Sequence, residues 1–474
     1  MNAFVNAIAN QEQRTANGMK ARKSTANAVV DLFYNIGASR GKNIIPQFTA
    51  AFVANKELAM RVALWARDAR TGAGERQLFR DILVYLEKHD PQSASKLINK
   101  VPQLGRFDDL FVFTNKELKA QAYTLLGDHL RAKNGLAAKW TPRKGKVAAE
   151  IRQFFGMTPK QYRKQLVSMT KVVEQKMCAG DWDNIEFSHV PSQASRIYKK
   201  AFERHTPKFA EYVQKLVSGD KSVKVNAGAI FPHDVIKGVL DPYSMKQFTK
   251  TELDHMVAQW EALPNYVGNA NMLPLVDVSG SMGCPVGGYG SGSSTTCLDV
   301  AVGLGLYLAD KNTGAFKDTF LTFSGSPELV TLKGNVVQKA QQMHKSKWAM
   351  NTNLNRAFEK ILSVAVKNNV PKTDMPKMML ILSDMQFDQC VTHDHSAMEM
   401  IESKYKAYGY DVPQVVFWNL NSSGNVPVKA DKSGAALVSG FSPSIMTSLL
   451  SADANAFTPE GIMLKTIMDP KYDM

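Results

Sequence analysis

Residues 273–284 read Leu-Pro-Leu-Val-Asp-Val-Ser-Gly-Ser-Met-Gly-Cys. A short apolar run of this kind predicts a buried strand. It ends in Asp277, Ser279 and Ser281, which fall in the loop at the strand's carboxyl end, where open parallel sheets bind ligands. One carboxylate and two hydroxyls spaced two apart present hard oxygen donors, a partial shell for Mg²⁺, Mn²⁺ or Ca²⁺. The competing explanation is a Ser-Gly-Ser turn with Asp277 serving only as a helix cap.

Two later segments extend the pattern. Asn351-Thr352-Asn353-Leu354 precedes apolar residues at helical spacing, so Thr352 is expected near a helix start, and Met378–Asp384 is a second apolar run ending in aspartate. The order of a strand with Asp-x-Ser-x-Ser, then Thr, then a strand with Asp resembles the metal-ion-dependent adhesion site of von Willebrand factor A domains. That resemblance implies a divalent-metal site of Asp277, Ser279, Ser281, Thr352 and Asp384. Mg²⁺ is the first choice of ion, with Mn²⁺ or Ca²⁺ as alternatives. Two carboxylates and three hydroxyls leave positions for water or for a partner's carboxylate or phosphate.

Around this stretch the remaining sequence alternates apolar runs with amphipathic segments. Strands are predicted at 272–277, 318–323, 378–383, 413–419 and 435–439. Helices are predicted at 296–310, 335–345, 353–367, 395–408 and 442–450. Alternation of this kind specifies a doubly wound α/β sheet. The glycine-rich stretch 283–294 lacks the Lys-Ser/Thr pair of a phosphate-binding loop and reads as a mobile insertion beside the metal loop. Cys284 and Cys297 flank it and are taken as thiols.

Upstream of about residue 265 the pattern is helical throughout. Glu57–Asp68 carries a broad apolar face and stops at Thr71-Gly-Ala-Gly; a second helix runs over 75–89, and Pro91 opens a third. Phe107-Asp-Asp-Leu-Phe reads as a further helix start, and Pro191 and Pro207 mark two more. Short helices joined by short turns suggest stacked pairs. The expected architecture is therefore multidomain: an N-terminal all-α helical-repeat (HEAT-like) module over 1–265, then a doubly wound, Rossmann-like von Willebrand factor A domain over 266–474.

Charge divides along the same line. Of 58 Lys+Arg and 43 Asp+Glu, residues 1–265 hold 41 and 25 and residues 266–474 hold 17 and 18, so a net +16 faces a net −1. A basic half beside a neutral one points to a polyanionic partner for the first. No apolar stretch reaches the roughly 20 residues of a membrane span. The amino terminus does not read as a signal peptide, and four scattered cysteines fit a reducing cytoplasm, the host's if the chain is phage-encoded.

Several stretches, among them Ala66-Arg-Asp-Ala-Arg-Thr-Gly-Ala-Gly-Glu-Arg-Gln-Leu-Phe, Val101-Pro-Gln-Leu-Gly-Arg-Phe-Asp-Asp-Leu, Thr158-Pro-Lys-Gln-Tyr-Arg-Lys and Phe231-Pro-His-Asp-Val, resemble the Ro autoantigen (TROVE-domain) proteins, in particular the bacterial and phage branch. The resemblance implies a ring-shaped helical module that binds non-coding RNA, followed by the A domain.

On the residues themselves, Lys160, Arg163 and Lys164 fall at spacings of three and four and share a helix face, with Tyr162 beside them for stacking on an unpaired base. Arg196, Lys199, Lys200 and Arg204 repeat the spacing. These are the candidate RNA contacts, against the alternative of a solvated helix face. Arg67, Arg70, Glu75 and Arg76 are expected to staple neighbouring helices, and His233 to pack or cap. His393 and His395 beside Cys390 are too sparse a set for zinc.

The expected function is a non-catalytic, monomeric RNA-binding protein with a metal-dependent docking site, its partners non-coding RNA and an acidic protein ligand. The alternatives are a metal-dependent protein–protein adaptor or virion-associated protein, and, behind it, a metal-dependent phosphoesterase. The latter lacks the second acid that general acid work requires.

Overall fold

The computed structural model describes residues 12–240, 247–288, 293–323, 326–346, 353–388 and 397–474. They form two compact units, residues 1–62 with 230–469, and residues 63–229 with 470–474.

The first unit is built on a six-stranded sheet. Strands β1 (Glu12–Arg14) and β2 (Lys20–Arg22) form a separate hairpin; β3 (Met272–Asp277), β4 (Thr319–Phe323), β5 (Leu329–Thr331), β6 (Met378–Ser383), β7 (Gln414–Asn419) and β8 (Ala435–Ser439) lie in the order β5-β4-β3-β6-β7-β8. All pairings in the sheet are parallel except β4 with β5. The five strands expected from apolar runs are present within a residue of their bounds. The edge strand β5, whose three residues are all at least partly exposed, carried no apolar signal. Every residue of β3 and β6 is buried, as strands covered by helices on both faces require.

Two glycines set how closely helix Cys297–Asp310 lies on its neighbours. A Cβ on Gly305 would come within 2.5 Å of Val276 Cγ2, and one on Gly303 within 2.6 Å of His233 Cα. The core on one side of the sheet joins Leu275, Phe323, Phe358, Ile381 and Phe417, and it includes Met19 and Tyr34 from the amino-terminal segment. The units divide differently from a boundary at 265/266: residues 12–62 and 230–265 both count with the sheet. Helix Ala28–Ile36, capped by Asn27 Oδ1 on the N–H groups of Val29 and Val30, packs against β8. Gly37 N donates to Ser439 Oγ at 3.1 Å and Ser439 Oγ donates to Phe33 O at 3.0 Å. The hairpin is tied to the loop after β6: Thr15 Oγ1 donates to Phe387 O (2.6 Å) and Asn17 Nδ2 to Gln386 O (2.7 Å).

The second unit is helical. Helices Gln77–His89, Pro91–Leu104 and Lys116–Arg131 pack in chain order, followed by helices Gly145–Phe154, Pro159–Met169, Ser192–His205 and Lys208–Val217. Phe107–Phe111 is a 3-10 helix with Asp108 and Asp109 in its first turn, where Asp109 Oδ2 accepts from Arg106 N at 3.0 Å. Asp109 is fully buried between Arg67 Nε (2.6 Å) and Arg80 Nε (2.7 Å), and Asp108 pairs with Arg80 and Arg106. Arg67 thus staples its helix to this turn, and Arg70 caps Gln103 O at 2.8 Å. The Arg106 guanidinium stacks 3.7 Å above Trp140.

Candidate functional site

Asp277 ends β3 and Ser383 ends β6, and the ladder between them sets the site. Val276 pairs with Leu382, so the next residues of both strands stand side by side. Ser383 Oγ donates to Asp277 Oδ2 at 2.6 Å, and Asp277 Oδ1 accepts from Ser279 N at 2.9 Å. Beyond β3 the chain turns through the 3-10 segment Gly280–Gly283, which brings Ser281 Oγ to 3.1 Å from Ser279 Oγ. Beyond β6 it makes a sharper bend: Met385 takes φ +64°, left-handed and costly by about 1–2 kcal/mol for a residue with a side chain. The bend is held by Met385 N donating to Ser383 Oγ (3.0 Å) and Gln386 N to Asp384 Oδ1 (3.2 Å), while the Met385 side chain is buried in the core.

These two turns bring Asp277, Ser279, Ser281 and Asp384 to one place, with Ser281 hydrogen-bonded to the Asp384 carboxyl. Thr352 lies outside the described residues, as do Cys390, His393 and His395. Asp277 is 0% and Asp384 3% exposed. Burial, and then the neighbouring Asp384, pushes the Asp277 carboxyl up to about 6. Burial likewise raises Asp384, against the hydrogen bonds from Ser281 and Gln386. Two buried like-charged acids facing hydroxyl oxygens form an electron-rich pocket that a hard divalent cation fits. Among the described residues no cluster of three or more His, Cys, Asp or Glu gathers, so a metal here would rest on two carboxylates and hydroxyl oxygens.

The sequence pattern missed four contributors. Ser383 orients Asp277, and its place at a strand end beside Asp384 was the available signal. Ser423 Oγ donates to Asp384 O at 3.0 Å. Gln386 supplies the turn already described. Lys42, remote in sequence, acts electrostatically on Asp384; it is half-buried and donates to Asn421 Oδ1 at 2.8 Å and to Ser422 O. Burial lowers its ammonium from the usual lysine value.

The basic candidates separate by exposure. Lys160, Arg163, Lys164 and Arg204 are exposed, and among the described residues they have no hydrogen-bond or ion-pair partner. Lys200 is exposed as well, and Arg196 is half-buried, its Nε donating to Gln193 Oε1 at 3.1 Å. Two expectations need correction. Tyr162 is 3% exposed and its hydroxyl donates to Pro142 O at 2.6 Å, so it has no face for a base; the helix turns it inward between its charged neighbours. Lys199, one position on from the exposed face, is 7% exposed and is withdrawn from any phosphate. His233 packs: it is 6% exposed, stacks on Phe231, and burial pushes its imidazole down to about 4.

Charge follows the helical unit. Residues 63–229 with 470–474 hold 31 Lys+Arg against 18 Asp+Glu, net +13; the sheet unit holds 27 against 25, net +2. Among the described residues no helix is long and apolar enough to cross a membrane.

Residues 271–468 match the model of a domain of unknown function (DUF7788), and residues 15–105 and 128–271 match that of a second (DUF2828). The uncharacterised protein L728 of Acanthamoeba polyphaga mimivirus is 28% identical over 519 residues, covering 96% of this chain and 86% of that one. The crystal structure of the Deinococcus radiodurans RO (RSR) protein is similar over 93% of both chains, with a TM-score of 0.40 and 12% identity. The two model matches meet at residue 271, close to the change in charge along the sequence.

Proposed function

We propose that this protein is a non-catalytic RNA-binding protein of the Ro type that holds a divalent cation, Mg²⁺ first, at the carboxyl end of β3 and β6. The observation that carries the RNA reading is the concentration of charge: a net +13 on the helical unit, with Lys160, Arg163, Lys164 and Arg204 exposed and unpartnered among the described residues. Lysines and arginines held this way exchange condensed counterions for phosphates, which makes binding sequence-tolerant and steeply salt-dependent. Structured or misfolded non-coding RNA is the partner class such a surface fits.

The cation reading rests on two buried carboxyls, Asp277 and Asp384, meeting the hydroxyls of Ser279 and Ser281. A bound ion would remove the repulsion between the acids and leave open positions for water, a phosphate oxygen or the carboxylate of an acidic protein. The chain works as a monomer in a reducing cytoplasm, and the cation positions a ligand rather than activating a nucleophile. The deciding experiment is filter binding of structured RNA across a salt series by the full-length protein. A steep salt slope supports the reading; a flat one, or absence of binding at low salt, overturns it.

A further inference from the structure

Cys284 and Cys297 flank the glycine-rich stretch and read from sequence as thiols that could approach each other, and no role in RNA or metal binding uses them. In the fold they face each other. Their Sγ atoms lie 3.6 Å apart. The approach is built rather than incidental. Cys297 N donates to Cys284 O at 3.0 Å, Val286 N donates to Thr295 O at 2.8 Å, and Pro285 bridges antiparallel to Thr296 between them. The two cysteines therefore stand opposite each other across a short ladder, at the neck of the glycine-rich stretch. Cys284 ends the 3-10 turn that carries Ser281, and Cys297 opens helix Cys297–Asp310.

Their exposures differ in a useful way. Cys297 is 1% exposed, while Cys284 is half-buried and accepts a hydrogen bond from Asn421 Nδ2 at 3.4 Å. Cys284 is the more exposed of the two sulfurs, so an incoming oxidant reaches it first.

We propose that Cys284 and Cys297 are a reversible disulfide site that fixes the end of the Ser281 turn to the start of the following helix. The oxidant is a small-molecule disulfide. The Cys284 thiolate attacks one of its sulfurs, forming a mixed disulfide and releasing one thiolate. Cys297, after losing its proton to solvent, attacks the Cys284 sulfur; the new Cys284–Cys297 bond forms and the second thiolate leaves. Two protein thiols are oxidised and one disulfide is reduced to two thiols. Sulfurs already in contact make the second step intramolecular, so it outruns reaction with further oxidant. This inference stands on the dithiol alone and is independent of whether a cation binds.

The test uses the full-length protein equilibrated with oxidised and reduced glutathione, quenched in acid, alkylated under denaturing conditions and mapped by peptide mass spectrometry. The expected product is a Cys284–Cys297 cross-linked peptide, with both thiols lost together and restored by dithiothreitol. Exposed Cys178 should instead carry glutathione. In Cys297→Ser, the glutathione adduct at Cys284 should accumulate at least about tenfold over the unmutated chain, because its resolving partner is gone. The inference is overturned if Cys284 in the unmutated chain accumulates glutathione while Cys297 stays alkylatable, if neither thiol is consumed, or if either pairs with Cys178 or Cys390.

Discussion

Replacing Asp277 by asparagine should stabilise the metal-free protein at neutral pH while abolishing its response to Mg²⁺. The Asp277 carboxyl is fully buried and is held at about 6 against an ordinary 3.8. A raised acid weakens the fold in a definite window. Below about pH 4 the group is protonated in both folded and unfolded chains and costs nothing. Between about pH 4 and about pH 6 the folded chain keeps a proton the unfolded chain has lost, so stability falls as pH rises. Above that the cost is constant, on the order of 3 kcal/mol at 1.36 kcal/mol per pH unit. The substituted amide would carry no charge, and its oxygen would keep the bond from Ser279 N. It would, however, oblige Ser383 Oγ to accept rather than donate, returning about 1 kcal/mol. The net gain is about 2 kcal/mol, a rise of roughly 4 °C or more in melting temperature. Thermal unfolding with a chelator and with millimolar Mg²⁺, at neutral pH and at about pH 5, reads all of this. The unmutated chain should gain from Mg²⁺ at neutral pH and progressively less as the acid takes up its proton. If Asp277→Asn melts below the unmutated chain in chelator at neutral pH, or still gains from Mg²⁺, the account of the pocket is wrong.

Three further outcomes test other parts of the structure. Converting Lys160, Arg163 and Lys164 together to glutamine should lower the slope of log affinity against log salt for single-stranded RNA by about 2; an unchanged slope in filter binding removes this face from the interface. Tyr162→Phe, which loses only the bond to Pro142 O, should cost about 1 kcal/mol in denaturant unfolding and leave RNA affinity unchanged; weaker binding would restore a stacking role. Gly303→Ala places a Cβ 2.6 Å from the His233 backbone and should cost about 1–3 kcal/mol, seen as a lowered urea midpoint; a neutral result would mean that helix Cys297–Asp310 is free to move off.

The sheet was readable because its strands are buried on both faces and so appear as unbroken apolar runs; β3 and β6 could be bounded from sequence to the residue. Strand β5 was not, because an exposed edge of three residues has no apolar signature. At Phe107–Phe111 the acids of the helix start were legible, but their pairing with Arg67 and Arg80, which lie far away in sequence, was not. Tyr162 shows the same limit at the level of one side chain. Spacing places it among basic residues, but which face of the helix meets the core depends on what packs there.

Local sequence alone determined the order of parts: helices first, then alternating strands and helices, the excess positive charge in the helical region, and the Asp-x-Ser-x-Ser turn at the end of a buried strand. Each is a property of neighbours along the chain, where periodicity, burial and turn chemistry act within a few residues. Tertiary structure decided what distance along the chain conceals. It placed the amino-terminal hairpin and helix Ala28–Ile36 with the sheet, set Ser383 against Asp277 through strand register, carried Lys42 to the loop of Asp384, and brought two thiols thirteen positions apart to 3.6 Å. The physical reason is that these contacts come from strand pairing and core closure, which depend on how distant surfaces fit and leave no periodic trace in the sequence.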